Sequence, residues 1–150
     1  MGRKIVVVLF IILLVSCTKE SDINYNHLIE KDGMEALLME FENESMDYRI
    51  LEITSDILRG SNTNIGLLDE DMLEIYEYDD AEKLEADVNA ISRDGYSITY
   101  EENGSMTTTN YSWVSIPNFY LYQNTIIVYI GNNSTIQSMF NRIKTVRINK

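Results

Sequence analysis

The chain has 150 residues, with 24 acidic and 12 basic side chains and a formal charge of −12 at pH 7. Such an acidic surface excludes nucleic acid as a partner, because binding to a phosphate backbone requires a basic surface. The hydrophobic share of 45% is too high for a disordered acidic chain, so we expect one small folded domain.

The N-terminus has the pattern of a secretion signal. Arg3 and Lys4 precede an uninterrupted apolar run over residues 5–15. A membrane-spanning helix needs roughly 20 apolar residues, so this run is too short to span a bilayer and has the size of a signal peptide's apolar region. We therefore predict that residues 1–16 are a signal peptide.

A short motif follows the apolar run. Leu14, Val15, Ser16 and Cys17 resemble the lipobox of bacterial lipoproteins. The resemblance implies cleavage between Ser16 and Cys17 and acylation of Cys17, with at least two chains holding the protein on the membrane. The alternative is an ordinary secreted protein with an incidental thiol. Lipidation would place the protein at the cell membrane, on its extracytoplasmic face.

Residues 17–26 are predicted to be the lipidated cysteine and a polar tether, which reaches at most about 30 Å when fully extended. Residues 27–150 are then predicted to be a single domain. Removal of Arg3 and Lys4 with the leader changes the formal charge from −12 to −14. The domain would therefore lie near the membrane while being repelled by anionic lipids.

The first half of the domain is predicted to contain helices and strands in alternation. Residues 27–41 fit one broken helix or two short helices around Asp32 and Gly33, with Leu37, Leu38 and Phe41 facing inward. Residues 48–53 fit a strand. Residues 63–67 and 72–78 fit two strands that pair through an acidic turn at residues 69–71.

A helix is predicted to follow the second of these paired strands. Asp79 and Glu82 have the spacing of a capping box, and Gly95 ends the segment. The apolar stripe of this helix is Leu84, Val88 and Ile91, and its water-facing acids are Glu82, Glu85 and Asp87.

Two hairpins and a helix are predicted after Gly95. Asn103 and Gly104 are a strong hairpin turn between residues 96–102 and 105–113. Residues 118–122 and 125–130 form the second hairpin, and residues 125–130 are apolar on both faces, as in a central strand. Asn132 and Asn133 offer caps for a final helix, whose apolar positions are Ile136, Met139, Phe140 and Ile143.

These elements predict an α+β fold, with a largely antiparallel sheet packed on one face by about three helices. Residues 73–98 and 113–140 are similar to a pattern in small bacterial surface lipoproteins. That resemblance implies the same fold and location, and it brings no catalytic residues. A fold alone does not specify a function.

An acidic cluster is the first candidate site. Several carboxylates on one flexible segment suit a hard cation such as Ca²⁺, although the spacing of an EF-hand is missing. The competing interpretation is a solvated turn with a helix N-terminus, where acids suit the helix dipole. We favour that interpretation, and we predict no metal site. The cluster consists of Asp69, Glu70, Asp71, Glu74, Glu77, Asp79, Asp80 and Glu82.

An aromatic series on the predicted strands is the second candidate. Its members are Tyr96, Tyr100, Tyr111, Trp113, Phe119, Tyr120, Tyr122 and Tyr129. Strands favour aromatic residues, so half of the series would line the core. The remainder could grip a sugar or a protein. We predict the exposed binding patch at Trp113 and the segment of residues 115–119, with Trp113, Pro117, Phe119 and Tyr120 as its candidate residues.

Motifs for catalysis are missing from the sequence. It contains no nucleophile elbow, phosphate loop or dinucleotide fingerprint, so we predict no catalytic residues and no cofactor. His27 has no second histidine as a fellow ligand. The leading hypothesis is a lipid-anchored, non-enzymatic binding module whose partner is a basic protein or a cell-wall component. The alternative is a carboxylate-dependent enzyme acting on the cell wall, or a domain that binds divalent cations.

Overall fold

A computed structural model describes residues 23–67 and 71–149 of the chain. The predicted leader, its cleavage site at Ser16, the lipidated Cys17 and most of the predicted tether lie outside the described residues. So do Asp69 and Glu70 of the acidic cluster.

The described residues form helices and strands in the following chain order. The elements are α1 (Tyr25–Leu28), α2 (Gly33–Asn43), β1 (Tyr48–Leu51), β2 (Ser61–Leu67), β3 (Met72–Glu77), α3 (Ala81–Ala90), β4 (Ser97–Glu102), β5 (Ser105–Asn110), β6 (Pro117–Tyr122), β7 (Thr125–Ile130), α4 (Ser134–Arg142) and β8 (Val146–Arg147). The fold is therefore α+β. Three of the four helices in the described part of the chain have nine residues or more.

The main sheet has six strands in the order β1-β2-β3-β7-β6-β8, and all neighbours are antiparallel. The pairing of β3 with β7 joins the two halves of the chain, because Ile75 lies opposite Ile127 across 52 positions of sequence. β7 is central, and its first five residues are buried. A strand covered on both faces is apolar throughout, as the sequence of β7 indicated.

Local chemistry sets the element ends. The side chains of Asp32, Asp80 and Asn133 cap α2, α3 and α4, each accepting a hydrogen bond from a backbone N–H of the first turn. The cap of α3 is thus Asp80 and not the predicted Asp79. The turn between β4 and β5 has φ of 52° at Asn103 and 76° at Gly104, which matches the predicted hairpin.

Helices cover both faces of the main sheet, so the prediction of one covered face is wrong. Side chains alternate along each strand, and the two sets join different core clusters. The first cluster contains Ile75 and Ile127 and packs against α2 and α4 through Phe41 and Phe140. The second contains residues of the opposite face and packs against α1, α3 and β4 through partners such as Leu28, Leu84 and Ile98. We call these the α2 face and the α3 face.

The chain enters the fold on the α3 face, earlier than the tether prediction required. Tyr25 and Asn26 belong to α1, which Asn24 caps. Ile23, Tyr25 and Leu28 pack against the second core cluster. The end of the predicted tether is therefore part of the folded structure.

The hairpin of β4 and β5 is a separate two-stranded sheet. β4 contacts α3, and Ile98 and Tyr100 point toward the second core cluster. Every residue of β5 is exposed. The hairpin therefore depends on one strand for its attachment to the body of the protein.

Candidate functional site

The predicted aromatic patch is mostly core. Pro117, Phe119 and Tyr120 are buried, with Phe119 at 0% exposure and Tyr120 at 5%. The ring of Tyr120 lies 4.6 Å from that of Phe140 in the first cluster, while Phe119 joins the second. Because both faces of the sheet are covered, alternation along β6 buries both sets of side chains. The prediction of an exposed patch is wrong for these three residues.

Trp113 is half-buried and holds the loop between β5 and β6, residues 111–116, against the body. Its indole N–H donates to the carbonyl of Gly95 at 2.9 Å, and its ring stacks on Tyr111 with centroids 5.2 Å apart. Ile116, inside the predicted segment, is 60% exposed, and Val114, which the prediction did not include, is 99% exposed.

The acidic cluster does not converge on one point. Asp71 accepts hydrogen bonds from the hydroxyl of Tyr129 and the amide of Asn133, each at 3.0 Å. Glu74 is only 9% exposed and accepts from the hydroxyl of Tyr76, so it is not a solvated acid. Glu74 and Glu77 point to opposite faces of the sheet, because side chains alternate along β3.

Asp87, which we predicted to face water, is buried on the α3 face. Asp87 is 0% exposed and accepts from the backbone N–H of Arg59 at 2.6 Å and from the hydroxyls of Tyr78 and Tyr100 at 2.6 and 2.7 Å. The Arg59 guanidinium lies 3.8 Å from the Tyr100 ring centroid and pairs with Glu102. Asp87 therefore joins α3 to β4 and to the segment before β2.

The tyrosines bound to Asp87 are held in their neutral form. Burial raises the pKa of Tyr78 well above its ordinary value of 10.0, and the nearby Asp87 carboxylate raises it further. Burial also raises the pKa of Tyr100, again with a contribution from Asp87. The arrangement suits hydroxyls that donate to a carboxylate permanently, so we assign it a structural role.

The larger acidic site is an open groove beside α2. It has a volume of about 530 Å³ and lies between the exposed flank of α2 and the sheet. Its lining combines four apolar side chains, Met34, Leu38, Met39 and Tyr48, with four rim acids at its open mouth, Asp32, Glu35, Glu42 and Glu77. We call it the acidic groove.

The groove combines an adaptable apolar surface with concentrated negative charge. Met39 is 56% exposed, and Met34, Leu38 and Tyr48 pack only partly into the first core cluster. Methionine side chains are flexible and polarisable, and they recur at surfaces that accept varied partners. None of the ion pairs among residues 23–67 and 71–149 involves a rim carboxylate.

The turn between β6 and β7 holds the N-terminal end of α2, which borders the groove, in place. The N–H of Gly33 donates to Oδ1 of Asn124 at 2.7 Å, and the amide of Asn124 donates to the carbonyl of Tyr78 at 3.1 Å and to Glu77 at 3.4 Å. A Cβ atom at position 33 would lie 2.8 Å from that Oδ1, so the close approach requires glycine. One asparagine thus positions both α2 and the rim acid Glu77.

A smaller cavity of about 240 Å³ lies near the start of α4, with Glu44, Asp47, Asp71 and Asn133 among its lining residues. Glu44 pairs with Arg142 at 2.6 Å, and both oxygens of Asp71 already accept hydrogen bonds. Two of its three acids are therefore engaged, and we take the larger acidic groove, with its four acids, as the candidate site.

Neither a metal centre nor a membrane-spanning helix is found in the described part of the chain. No group of three or more histidine, cysteine, aspartate or glutamate side chains there could hold a metal ion. His27 is exposed and lies 3.4 Å from Glu30. The helices between residues 23 and 149 also lack the length and apolar composition needed to cross a bilayer.

No family model matches the sequence, and comparisons with curated proteins and with solved structures found no match either. Function is therefore inferred from the geometry and charge of this chain's own residues.

Proposed function

We propose that this protein is a lipid-anchored binding module of the bacterial cell exterior, without catalytic activity, that holds a basic segment of another protein in its acidic groove. The observation that carries the proposal is the groove itself. Four apolar side chains and four acids line it together.

The chemistry of the groove favours a partner that is both basic and apolar. A small basic ion would gain little binding energy from the methionine side chains of the groove, and a purely apolar peptide would leave the groove's carboxylates without partners. Lysine and arginine side chains meet both demands, because their aliphatic stems can lie on Met34 and Met39 while their charges reach the rim.

Charge also favours rapid association with such a partner. The chain carries −12 overall, and the groove concentrates four negative charges at one mouth. Complementary fields of this kind steer encounter and raise association rates, and salt weakens them as the Debye length falls to about 10 Å at 0.1 M.

The anchor is tested by the chemistry of Cys17. We expect the intact mass of protein extracted from membranes to equal that of a chain beginning at Cys17 plus its acyl groups. A Cys17→Ser variant should keep its leader and lack the acyl mass. An unmodified Cys17 in fully processed protein would exclude the anchoring part of the proposal.

The groove is tested by reversing two of its charges. We expect Glu35→Lys combined with Glu42→Lys to weaken binding on the order of 10-fold to 100-fold, because attraction is lost and repulsion is added at the rim. The probe is a fluorescein-labelled synthetic peptide with lysines and leucines at helical spacing. Binding is measured by fluorescence anisotropy at low and high salt.

The chain offers a matched control on the other side of the sheet. Glu82→Lys combined with Glu85→Lys makes the same change of net charge, and Glu82 lies in the first turn of α3 as Glu35 does in α2. All four side chains are exposed, so folding should be preserved. Equal weakening by both double variants would contradict a specific groove and indicate attraction by net charge alone.

A further inference from the structure

The loop between β5 and β6 presents aliphatic side chains to solvent on a rigid base. Val114 is 99% exposed and Ile116 is 60% exposed. Isolated apolar residues on a surface are normal, but these two follow half-buried Trp113, which bonds to the segment that contains 42% exposed Tyr96. The loop therefore exposes two aliphatic side chains beside a half-buried tryptophan.

Hydrogen bonds and stacking fix this shape. Besides the bond from Trp113 to Gly95, the N–H of Tyr111 donates to the carbonyl of Tyr96 at 2.9 Å. Trp113 also meets Phe119 edge-on, with centroids 6.4 Å apart. The base of the loop is therefore attached to the second core cluster, and Val114 and Ile116 remain outside it.

The point at which the chain enters the fold indicates what contacts this loop. Ile23 packs against the same core cluster as Trp113, on the α3 face. Only the five residues 18–22 lie between the predicted acylated Cys17 and Ile23, and the six residue steps from one to the other span at most about 20 Å. An anchored Cys17 would therefore hold the α3 face close to the bilayer and leave the acidic groove, on the α2 face, directed away from it.

We infer that Val114 and Ile116 insert into the surface of a zwitterionic lipid bilayer as a second contact beside the acyl anchor. This inference rests on the anchoring in the proposed function. Tryptophan and tyrosine, such as Trp113 and Tyr96, are enriched at the headgroup region of bilayers, because their rings are apolar and their N–H or O–H groups can bond to water. Transfer of two aliphatic side chains from water into the bilayer is favourable, and an anchored protein needs no large contact surface to use it.

The charges beside the loop agree with zwitterionic rather than anionic lipid. Arg93 and Asp94 carry opposite charges in the turn before Gly95. The overall charge of −12 opposes approach to an anionic surface. The contact would orient the protein so that the groove faces a partner arriving from outside.

Trp113 provides a built-in reporter, because it is the only tryptophan in the chain. The acylated full-length protein is reconstituted in phosphatidylcholine vesicles, with ordinary lipids or with lipids brominated in their acyl chains. We expect brominated lipid to lower Trp113 emission about twofold, since the loop would lie at the boundary of headgroups and acyl chains. Val114→Ser combined with Ile116→Ser should remove most of this quenching.

Ile50→Ser is the matched control, because Ile50 is 61% exposed but lies on the α2 face. Its quenching should equal that of the parent. Equal emission in both kinds of vesicle from protein whose intact mass shows an acylated Cys17 would overturn the loop contact and leave the anchor standing. The contact would also be overturned if the double variant lost crosslinks to a protein while lipid quenching stayed unchanged.

An unmodified Cys17 would contradict the proposed acyl anchor, and the proposed contact of the loop with lipid would still be tested separately. The same full-length chain would then be mixed with vesicles at high lipid concentration, where quenching that depends on Val114 and Ile116 supports the contact. Quenching that is absent there, or unchanged in the double variant, overturns it.

Discussion

Replacing Asp87 with alanine is expected to lower the free energy of unfolding by about 3 to 5 kcal/mol. The carboxylate is fully buried and accepts three hydrogen bonds. Its removal leaves the hydroxyls of Tyr78 and Tyr100 and the N–H of Arg59 without that acceptor. Small domains have a total stability of about 5 to 15 kcal/mol, so the loss could unfold much of the protein at 37 °C.

Urea denaturation at neutral pH measures this loss, and two variants keep the test informative. Asp87→Asn preserves the shape and one acceptor oxygen, so it should cost roughly half as much as alanine. Glu85→Ala removes an exposed acid from the same helix and should change stability by no more than about 0.5 kcal/mol. If Asp87→Ala were as mild as Glu85→Ala, the buried network would not be an important stabilising feature.

Raising the pH from 9 to 12 is expected to unfold the protein cooperatively. Burial raises the pKa values of Tyr76 and Tyr78 far above their ordinary 10.0, while both tyrosines regain the ordinary value when the chain unfolds. Because the folded pKa is the higher one, their stabilisation is complete below pH 10 and is lost as the pH rises above it. At pH 12 Tyr78 alone costs about 2.7 kcal/mol, and Tyr76 adds to that loss in the same direction, which is a large part of the stability of a small domain.

Tyrosinate absorbance and circular dichroism, followed together, check this expectation. The buried phenols should ionise in the same narrow pH range in which the secondary structure is lost. Tyr78→Phe removes one of the ionising groups. The free energy of unfolding should then fall less steeply with pH, by about 1.4 kcal/mol per pH unit. Gradual ionisation of all ten tyrosines near pH 10 with the fold intact would contradict the assignment.

Local elements could be predicted well because neighbouring residues determine them. Asn103 and Gly104 form the hairpin turn that their tolerance of positive φ predicts. Asn133 caps α4, and the apolar positions Ile136, Met139 and Phe140 are buried as their helical spacing indicates. The broken helix around Asp32 proved to be two helices, with Asp32 as the cap of the second.

Burial of individual residues was harder to predict where partners come from distant parts of the chain. Asp87 lies at the edge of the apolar stripe of α3. Because aspartate is a charged residue, we predicted that its side chain faces water. Its burial depends on Tyr78, Tyr100 and Arg59, which reach it from three other segments. Pro117, Phe119 and Tyr120 were misplaced for a related reason, since the apolar sequence of β7 indicated cover on both of its faces but did not show which distant segments also cover β6.

The acidic groove shows the same division between local and distant information. Glu35 and Glu42 lie two helical turns apart on α2, so their presence on one flank was readable from spacing. Glu77 belongs to β3 and joins them only because Asn124 bonds both the start of α2 and the end of that strand.

The sequence by itself determined the acidity, the order of helices and strands, the turns and caps, and the expectation of an acylated leader, because each depends on composition or on residues a few positions apart. Tertiary structure alone decided that β3 pairs with β7, which helices cover each face of the sheet, and that the groove and the β5–β6 loop lie on opposite faces. Long-range pairing has this role because it brings together side chains whose separation along the chain carries no periodic signal.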